Sequence, residues 1–180
     1  MITEPQVEDR EAQPYVGRRT QATLAELPTV IPQRLGEVLA WLNRQGVAPA
    51  GAPFIRYHII DMAGHLDVEL GVPVAGRLAG TDGIQASVLP AGRYATLRYT
   101  NIARGIEANA ALLAWGTAQG LVWDTWAAPH GDGFGARLES FLTDPAAEPD
   151  PTRWETEVAI RLADATAPSR PGAWPSPTRT

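Results

Sequence analysis

The chain has 180 residues and a formal net charge of −5, with 15 basic and 20 acidic side chains. That length suits one domain with its own core, or two small halves fused into one. The basic residues are scattered, which argues against a stripe that binds a phosphate backbone. Because cysteine is absent, disulfides, thiol catalysis and cysteine metal sites are excluded. We find no leader and no membrane-spanning run, so we expect a cytoplasmic protein.

Two similar octets, AWLNRQGV at 40–47 and AWGTAQGL at 114–121, each end a segment with helical spacing of apolar residues. The first segment is predicted to be a helix from Leu27 to Gln45, with Pro28 and Pro32 near its start, where a missing N–H does least harm. The second is predicted to run from Ile102 to Gln119. The simplest interpretation of the tryptophan in each octet is that it packs its helix against a sheet.

Strand-like stretches occur in the same order around both helices, so the sequence predicts an α+β fold. It has duplicated β-α-β-β halves with pseudo-two-fold symmetry, as repeats at about 5–75 and 85–163 of a domain over 1–163. Trp41 then corresponds to Trp115, and Glu69 to Glu157. Residues 164–180 are rich in Pro, Ser, Thr and Ala and are predicted to be a disordered or surface-lying tail, with Trp174 as its large apolar residue. The predicted strands are 13–20, 54–61, 66–74, 92–100, 137–144 and 154–162.

Alternation within the strands divides their side chains between two faces of the sheet. In 66–74 and 154–162 one face is apolar and is predicted to hold the helices, whereas Glu69 and Glu157 point to the other. The same alternation predicts that Glu139 and Phe141 lie on this second face. HGDGFG at 130–135 has the glycines of a flexible loop, and we expect a mobile loop near the mouth of a pocket.

The repeat, together with LPAGRYATLRYT (89–100) and LESFLTDPAAEPDPTRWETEVAIRL (138–162), resembles the GyrI-like small-molecule-binding domain. The same domain is the effector-binding module of AraC-type and MerR-type regulators. The resemblance covers about residues 5–163 and implies helices on one face of the sheet and a ligand groove on the other. Because it begins within the first ten residues, we expect a stand-alone domain that does not bind nucleic acid directly.

The resemblance also implies a buried glutamate among aromatic rings in the ligand groove. Glu139 matches it, because it lies in the strand before the Asp-Pro turn at 144–145. A carboxylate in such a pocket attracts a delocalised cation and can also accept a proton. In the competing interpretation, Glu139 faces solvent or pairs with an arginine such as Arg56 or Arg98.

Other residues are candidates for the same groove. Tyr57 resembles a pocket tyrosine of the family, although core packing explains it equally well. Trp126 is preferred over Trp123, because Asp124 shares its parity and would be costly on the helix-facing side. Phe141 accompanies Glu139 by alternation.

Four further candidates have simpler competing interpretations. Glu69 and Glu157 are pocket walls or symmetric surface charges. His58 is a candidate proton carrier, while Tyr94 or Tyr99 reaches the groove. The three histidines lack metal-ligand spacing, so neither a metal nor another cofactor is expected.

Two functions remain open at this stage. The first, slightly favoured, is binding of hydrophobic planar small molecules, cationic ones among them, for sensing, sequestration or multidrug resistance. The second is a cofactor-independent hydrolase, as in the GyrI-like subgroup that opens the cyclopropane of DNA-alkylating natural products, with Glu139 acting on water. A protein partner such as a topoisomerase is known for the family's namesake, but no residue here indicates one.

Overall fold

The computed structural model describes residues 1–61 and 63–164, so Trp174 and nearly all of the predicted tail lie outside the described residues. Within them the chain forms two α-helices and ten β-strands. The helices are α1 (Leu27–Gln45) and α2 (Gly105–Ala118). The strands are β1 (Gln6–Arg10), β2 (Gln13–Ala22), β3 (Phe54–Ile60), β4 (Leu66–Pro73), β5 (Gln85–Leu89), β6 (Gly92–Thr100), β7 (Thr125–Ala128), β8 (Gly131–Phe134), β9 (Arg137–Phe141) and β10 (Glu155–Arg161).

The strands pair antiparallel in one curled sheet with the order β1-β6-β10-β9-β3-β4-β2-β5, and the β7–β8 hairpin joins it through β3. Counted outward from the boundary between β9 and β3, both halves use the same order. From that boundary outward, the first half has the order β3, β4, β2 and β5, and the second half has the order β9, β10, β6 and β1. In each half the second strand of the β-α-β-β unit is innermost, the third and the first follow, and an edge strand is outermost. The predicted α+β class is confirmed. The duplication itself, with superposition of the two halves, stays a prediction.

Helix α1 has the predicted bounds. Proline occupies its first turn, and the chain leaves it at Gly46, whose φ of 67° lies in the left-handed region that glycine adopts without a Cβ clash. Pro32 lies inside the helix rather than near its start, which corrects the expectation for that residue. Helix α2 is shorter than predicted, because Ile102–Arg104 form a separate 3-10 turn before Gly105.

Both helices pack on one face of the sheet, and each covers the outer strands of its own half. Helix α1 lies on β2 and β4, whereas α2 lies on β6 and β10. The central strands β3 and β9 therefore lie between the two helices. As predicted, the tryptophan of each octet packs its helix against the sheet, with Trp41 buried and Trp115 partly buried.

The face away from the helices carries a second apolar core at its centre, formed by Tyr15, Phe54, Tyr94 and Leu138. Gly71 makes room for it, because a Cβ there would lie 2.5 Å from the Phe54 ring. The predicted loop at 130–135 is wrong, since most of it forms β8 and pairs with β3 and β7. Neither helix of the described residues is long and apolar enough to cross a membrane.

Candidate functional site

The strand register divides the predicted site residues between two faces of the sheet. Glu139 pairs with Val158, which packs in the core beneath α2, so Glu139 and Phe141 lie on the helix face. The prediction that they share the face of Glu157 is wrong. Glu157 pairs with Ser140 instead. Alternation within one strand gives no information on how two strands align, which is why the expectation failed.

Glu139 lies between the two helices, and its carboxylate accepts hydrogen bonds from three neutral groups. The Tyr99 hydroxyl donates to Oε2 at 2.8 Å, and the Tyr57 hydroxyl donates to Oε1 at 3.2 Å. Asn109 of α2 donates to Oε1 through Nδ2 at 3.0 Å. Glu139 is only partly buried, whereas Tyr57 retains 9% of its exposure. The structure therefore brings Glu139, Tyr57 and Phe141 together, as predicted, but between the helices.

A cation lies close to this cluster without forming an ion pair with Glu139. Arg137 donates from Nη2 to Oδ1 of Asn109 at 2.8 Å, and its guanidinium lies 4.9 Å from the centre of the Phe134 ring. Among the described residues, no basic side chain forms an ion pair with Glu139. Asn109 thus connects the arginine to the glutamate and holds both in place.

Burial and the neighbouring carboxylate keep the tyrosine hydroxyls protonated. Burial raises the pKa of Tyr57 well above its ordinary value, and the charge of Glu139 raises it further. The same two causes raise the pKa of Tyr99. Burial lowers the pKa of Arg137, although Tyr57 and Glu139 oppose that shift. At neutral pH the two tyrosines therefore act as hydrogen-bond donors to the carboxylate, not as bases.

On the opposite face, Glu69 is the centre of a compact polar cluster. Its Oε2 accepts a hydrogen bond from the Tyr15 hydroxyl at 2.7 Å and lies 2.8 Å from Nε2 of His58, while Arg56 donates to the Tyr15 hydroxyl at 3.0 Å. Burial would raise the pKa of Glu69, but the hydrogen bonds from His58 and Tyr15 outweigh it, and the net pKa is lowered. The cluster fits closely, because a Cβ at Gly17 would lie 2.7 Å from a Glu69 oxygen. His58 and Glu69 thus form a hydrogen-bonded pair.

A cavity of about 420 Å³ lies beside this cluster, on the face away from the helices, where the resemblance predicted a groove. Glu157 lines it between two arginines, with Arg10 Nη2 at 2.5 Å from Oε1 and Arg98 Nε at 3.1 Å from Oε2. Tyr94 lines it too, and its hydroxyl donates to the carbonyl of Pro90 at 2.7 Å. Phe54, Leu89, Leu138, Ser140 and Leu142 are among the other lining residues.

Trp126 lies on the face away from the helices, as the parity of Asp124 predicted, and it is separated from Glu139 because Glu139 lies on the other face. It pairs with Gly133, and Gly133 pairs with Ile59, which in turn pairs with Asp67 on the face away from the helices. Its indole lies so close over Gly133 that a Cβ there would overlap the ring. Trp123 packs against α2 instead, over Gly116.

Sequence reasoning missed Asn109, which contacts Glu139, and left Tyr94 and Tyr99 as alternatives. Tyr94 and Tyr99 are five positions apart on β6 and therefore point to opposite faces, and Tyr99 is the one at Glu139. Asn109 could have been noticed as a polar residue one helical turn beyond Gly105, whose carbonyl it also contacts. Among the described residues no group of three or more acidic or histidine side chains could hold a metal ion.

With this geometry established, comparison with known proteins identifies the family. A family model described as the GyrI-like small molecule binding domain matches residues 3–163. The chain belongs to the GyrI-like family. It is a GyrI-like small-molecule-binding domain over nearly all of its described length. No curated protein sequence matches it significantly.

Solved structures share the fold of this GyrI-like domain at low sequence identity. The C-terminal domain of EcmrR is 17% identical with a TM-score of 0.72, over 90% of this chain and 98% of that one. In EcmrR bound to DNA, the similarity spans 57% of the longer chain. SAV2435 bound to tetraphenylphosphonium is 11% identical with a TM-score of 0.58, over 89% and 94% of the two chains. A hydrolase from Listeria innocua is 9% identical with a TM-score of 0.56, over 89% and 92%.

Proposed function

We propose that the site around Glu139 binds hydrophobic aromatic cations, planar ones among them. The observation that carries the proposal is a carboxylate at the centre of the sheet, between two helices, with three neutral donors and no ion-pair partner among the described residues. A partly buried carboxylate without an ion-pair partner attracts a cation more strongly than one in water, because the dielectric constant around it is lower.

The side chains around Glu139 suit a delocalised charge better than a compact ammonium. Tyr57, Tyr99 and Phe141 lie on the same face as the carboxylate. The two tyrosines are buried, so the partly buried Phe141 is the ring of the three that a ligand can contact. A diffuse cation loses less hydration on entry and also gains from contact with aromatic rings. Ile106 is 74% exposed and follows Gly105 on α2, where an added Cβ would lie 3.7 Å from Oε2 of Glu139, so it adds apolar surface near the carboxylate.

The comparisons support this proposal at the level of ligand class. The family is described as small-molecule-binding, and SAV2435 binds the lipophilic cation tetraphenylphosphonium. Binding alone would lower the free concentration of such a compound by mass action, which is a basis for sensing, sequestration or drug resistance. A cytoplasmic location is part of the proposal.

Hydrolysis of a strained substrate is the alternative, since one neighbour in structure is described as a hydrolase. For that reaction Glu139 would have to position or deprotonate a water aimed at the substrate. Tyr57, Tyr99 and Asn109 fill three of the about four acceptor positions of the Glu139 carboxylate, so one position on Oε2 remains for such a water. Binding needs no positioned water and is therefore the simpler of the two proposals.

Glu139→Gln tests the binding proposal, because it keeps the shape of the side chain and removes its charge. We expect tetraphenylphosphonium to bind about 5- to 150-fold more weakly, and neutral triphenylphosphine oxide to change little. The measurement is titration by tryptophan fluorescence with calorimetry as a check. Glu107→Gln is the matched control, since this exposed carboxylate on α2 pairs with Arg104 and does not contact the site. Equal losses in both variants, or none, would contradict the assignment of Glu139.

Turnover is tested on the same two variants. The protein is incubated with a cyclopropane-bearing alkylator, and the product is analysed by mass spectrometry for a gain of water. We expect no product above the rate without protein. Turnover that falls about 100- to 10,000-fold in Glu139→Gln, with substrate affinity nearly kept, would instead establish the hydrolase alternative.

A further inference from the structure

The cavity on the face away from the helices is a separate compartment from the Glu139 site. The two are divided by the sheet, because Glu139 points to the helices whereas Leu138 and Ser140, its neighbours on β9, line the cavity. The cavity's volume of about 420 Å³ falls within the range of ordinary small-molecule pockets, about 300–1,000 Å³. A ligand in the cavity would therefore not contact Glu139.

The polar end of this cavity has more hydrogen-bond donors than acceptors. Oε1 of Glu157 accepts a hydrogen bond from Arg10 and Oε2 accepts one from Arg98, so the carboxylate forms ion pairs with two guanidinium groups. Among the described residues, neither Nη1 of Arg10 nor Nη2 of Arg98 has a hydrogen-bond partner. What remains for a ligand is thus a set of positively charged N–H groups, which select a hydrogen-bond acceptor and above all an anion.

The rest of the cavity is apolar and partly aromatic. Phe54, Tyr94 and Leu138 belong to the buried core of this face, and Leu89 packs beside them. The guanidinium of Arg10 lies 5.2 Å from the centre of the Tyr94 ring, which holds the charge at the edge of the apolar surface. A ligand that fills the cavity therefore needs an apolar body next to its polar group.

Nearby carboxylates limit the charge that such a ligand can carry. Glu11 lines the cavity, while Glu8 and Glu155 each contact one of the two arginines from outside. A second negative charge on the ligand would be repelled by these groups without gaining a further guanidinium partner. The two arginines already contact three carboxylates, so a ligand with a single negative charge is the most that they can accommodate.

We propose that this cavity is a second binding site, which takes a small aromatic or aliphatic monocarboxylic acid as its anion. The carboxylate of the ligand lies against Arg98 and Arg10. Its apolar body lies on the more accessible lining residues Leu89, Pro90 and Leu142. The preference for an anion distinguishes this site from the one at Glu139, where a cation is expected.

The probe for this site is 2-naphthoate, compared with neutral 2-naphthamide and with 2-naphthylmethylammonium. We expect binding of 2-naphthoate by calorimetry, at least tenfold weaker binding of the amide, and no binding of the ammonium compound at this site. Arg98→Gln should weaken 2-naphthoate about 10- to 100-fold, because a charged hydrogen bond is lost. The Arg98 side chain is 53% exposed, so its replacement is compatible with folding.

Three further variants make the result specific. Arg104→Gln removes an exposed arginine that pairs only with Glu107, and it should bind 2-naphthoate like the wild type. Ser140→Phe fills the cavity without a change of charge and should abolish binding, with the circular dichroism spectrum as a check of folding. Glu139→Gln should leave 2-naphthoate binding unchanged, which separates this proposal from the cation site. Equal affinities in Arg98→Gln and Arg104→Gln, or no binding of 2-naphthoate by the wild type, would each overturn it. So would preferred binding of the ammonium compound by Glu139→Gln, in which the charge of the cation site is removed.

Discussion

Three strand glutamates that look alike in the sequence have different partners in the folded chain. Glu139 accepts hydrogen bonds from neutral groups, Glu69 is held by His58 and Tyr15, and Glu157 bridges Arg10 and Arg98. A carboxylate surrounded by neutral donors still attracts a cation, whereas one between two arginines does not. At the scale of the residue, function thus depends on what surrounds the carboxylate rather than on its presence.

Glu69 should make the stability of the protein depend on pH in the acidic range. Its pKa in the folded protein lies below the ordinary value of 4.5, so the unfolded chain binds its proton more readily. The resulting stabilisation is fully present above about pH 4.5 and is lost as the pH falls through the folded pKa. We expect the free energy of unfolding in urea to fall less steeply below pH 4.5 in Glu69→Gln than in the wild type.

The groups that face Glu69 are His58 and Arg56 on β3 and Tyr15 and Arg19 on β2. Exposed Glu4→Gln is the control for this measurement and should follow the wild-type pH profile. If the free energy of unfolding depends on pH in the same way in wild type and Glu69→Gln, from pH 6 down to the pH at which the protein unfolds, then Glu69 does not contribute to the loss of stability in acid.

The sequence singled out Glu139 as a candidate, but it did not indicate all of the residues that surround it. Its resemblance to the family glutamate and the presence of Tyr57 singled out two of the four polar members of the cluster. Tyr99 and Asn109 come from β6 and α2, and they meet Glu139 only because of the register between β9 and β10 and the position of α2. Cross-strand register depends on tertiary packing, which a period-2 pattern within a single strand does not contain.

At the scale of the element, long periodic segments were predictable and short edge segments were not. Helix α1 combines a repeated apolar face with a terminal glycine, and both of its ends were predicted. Strand β1 reads QVEDR, and it forms because its backbone pairs with β6 at the edge of the sheet. Such a strand shows little apolar alternation, since much of its surface faces solvent. Strand β8 was missed because its glycines suggested a loop. One of them, Gly133, instead leaves space for the Trp126 ring.

A pair of glycine substitutions in the two helices should change stability in opposite directions. Gly36 lies in α1, and a Cβ added there would meet no neighbouring atom within 4 Å, so Gly36→Ala should stabilise by about 0.5–1 kcal/mol through helix propensity. Gly116 lies in α2 directly under Trp123, whose ring a Cβ would overlap. Gly116→Ala should destabilise by about 1–3 kcal/mol, because the indole has to move. Urea unfolding of both variants is the measurement.

The comparison is controlled internally, because both substitutions add one methyl group to a helix. A gain of stability in both variants would mean that Trp123 repacks at little cost and that its contact with α2 is loose. A loss in both would mean that the surface of α1 around Gly36 is less open than its geometry indicates.

In the molecule as a whole, one curled sheet separates the Glu139 site from the cavity on the other face. Both helices lie on one face, and the central strands β3 and β9 lie between them. Glu139 of β9 therefore lies between the two helices. The other face, enclosed by the curl of the sheet and by the connection from β1 to β2, holds the cavity with its two arginines. The same strands serve both compartments, since successive residues of β9 point alternately to each face.

This arrangement predicts that the two proposed ligands bind without competing. Tetraphenylphosphonium titrated in saturating 2-naphthoate should show the same stoichiometry and a Kd within about fivefold of that without it, a coupling of at most about 1 kcal/mol. Any coupling should be favourable, because opposite charges across the sheet attract each other. It should also be reciprocal, so that tetraphenylphosphonium changes the Kd of 2-naphthoate by the same factor. If the apparent Kd of one ligand instead rises in proportion to the concentration of the other, both occupy a single site, and the division of the molecule into two compartments is wrong.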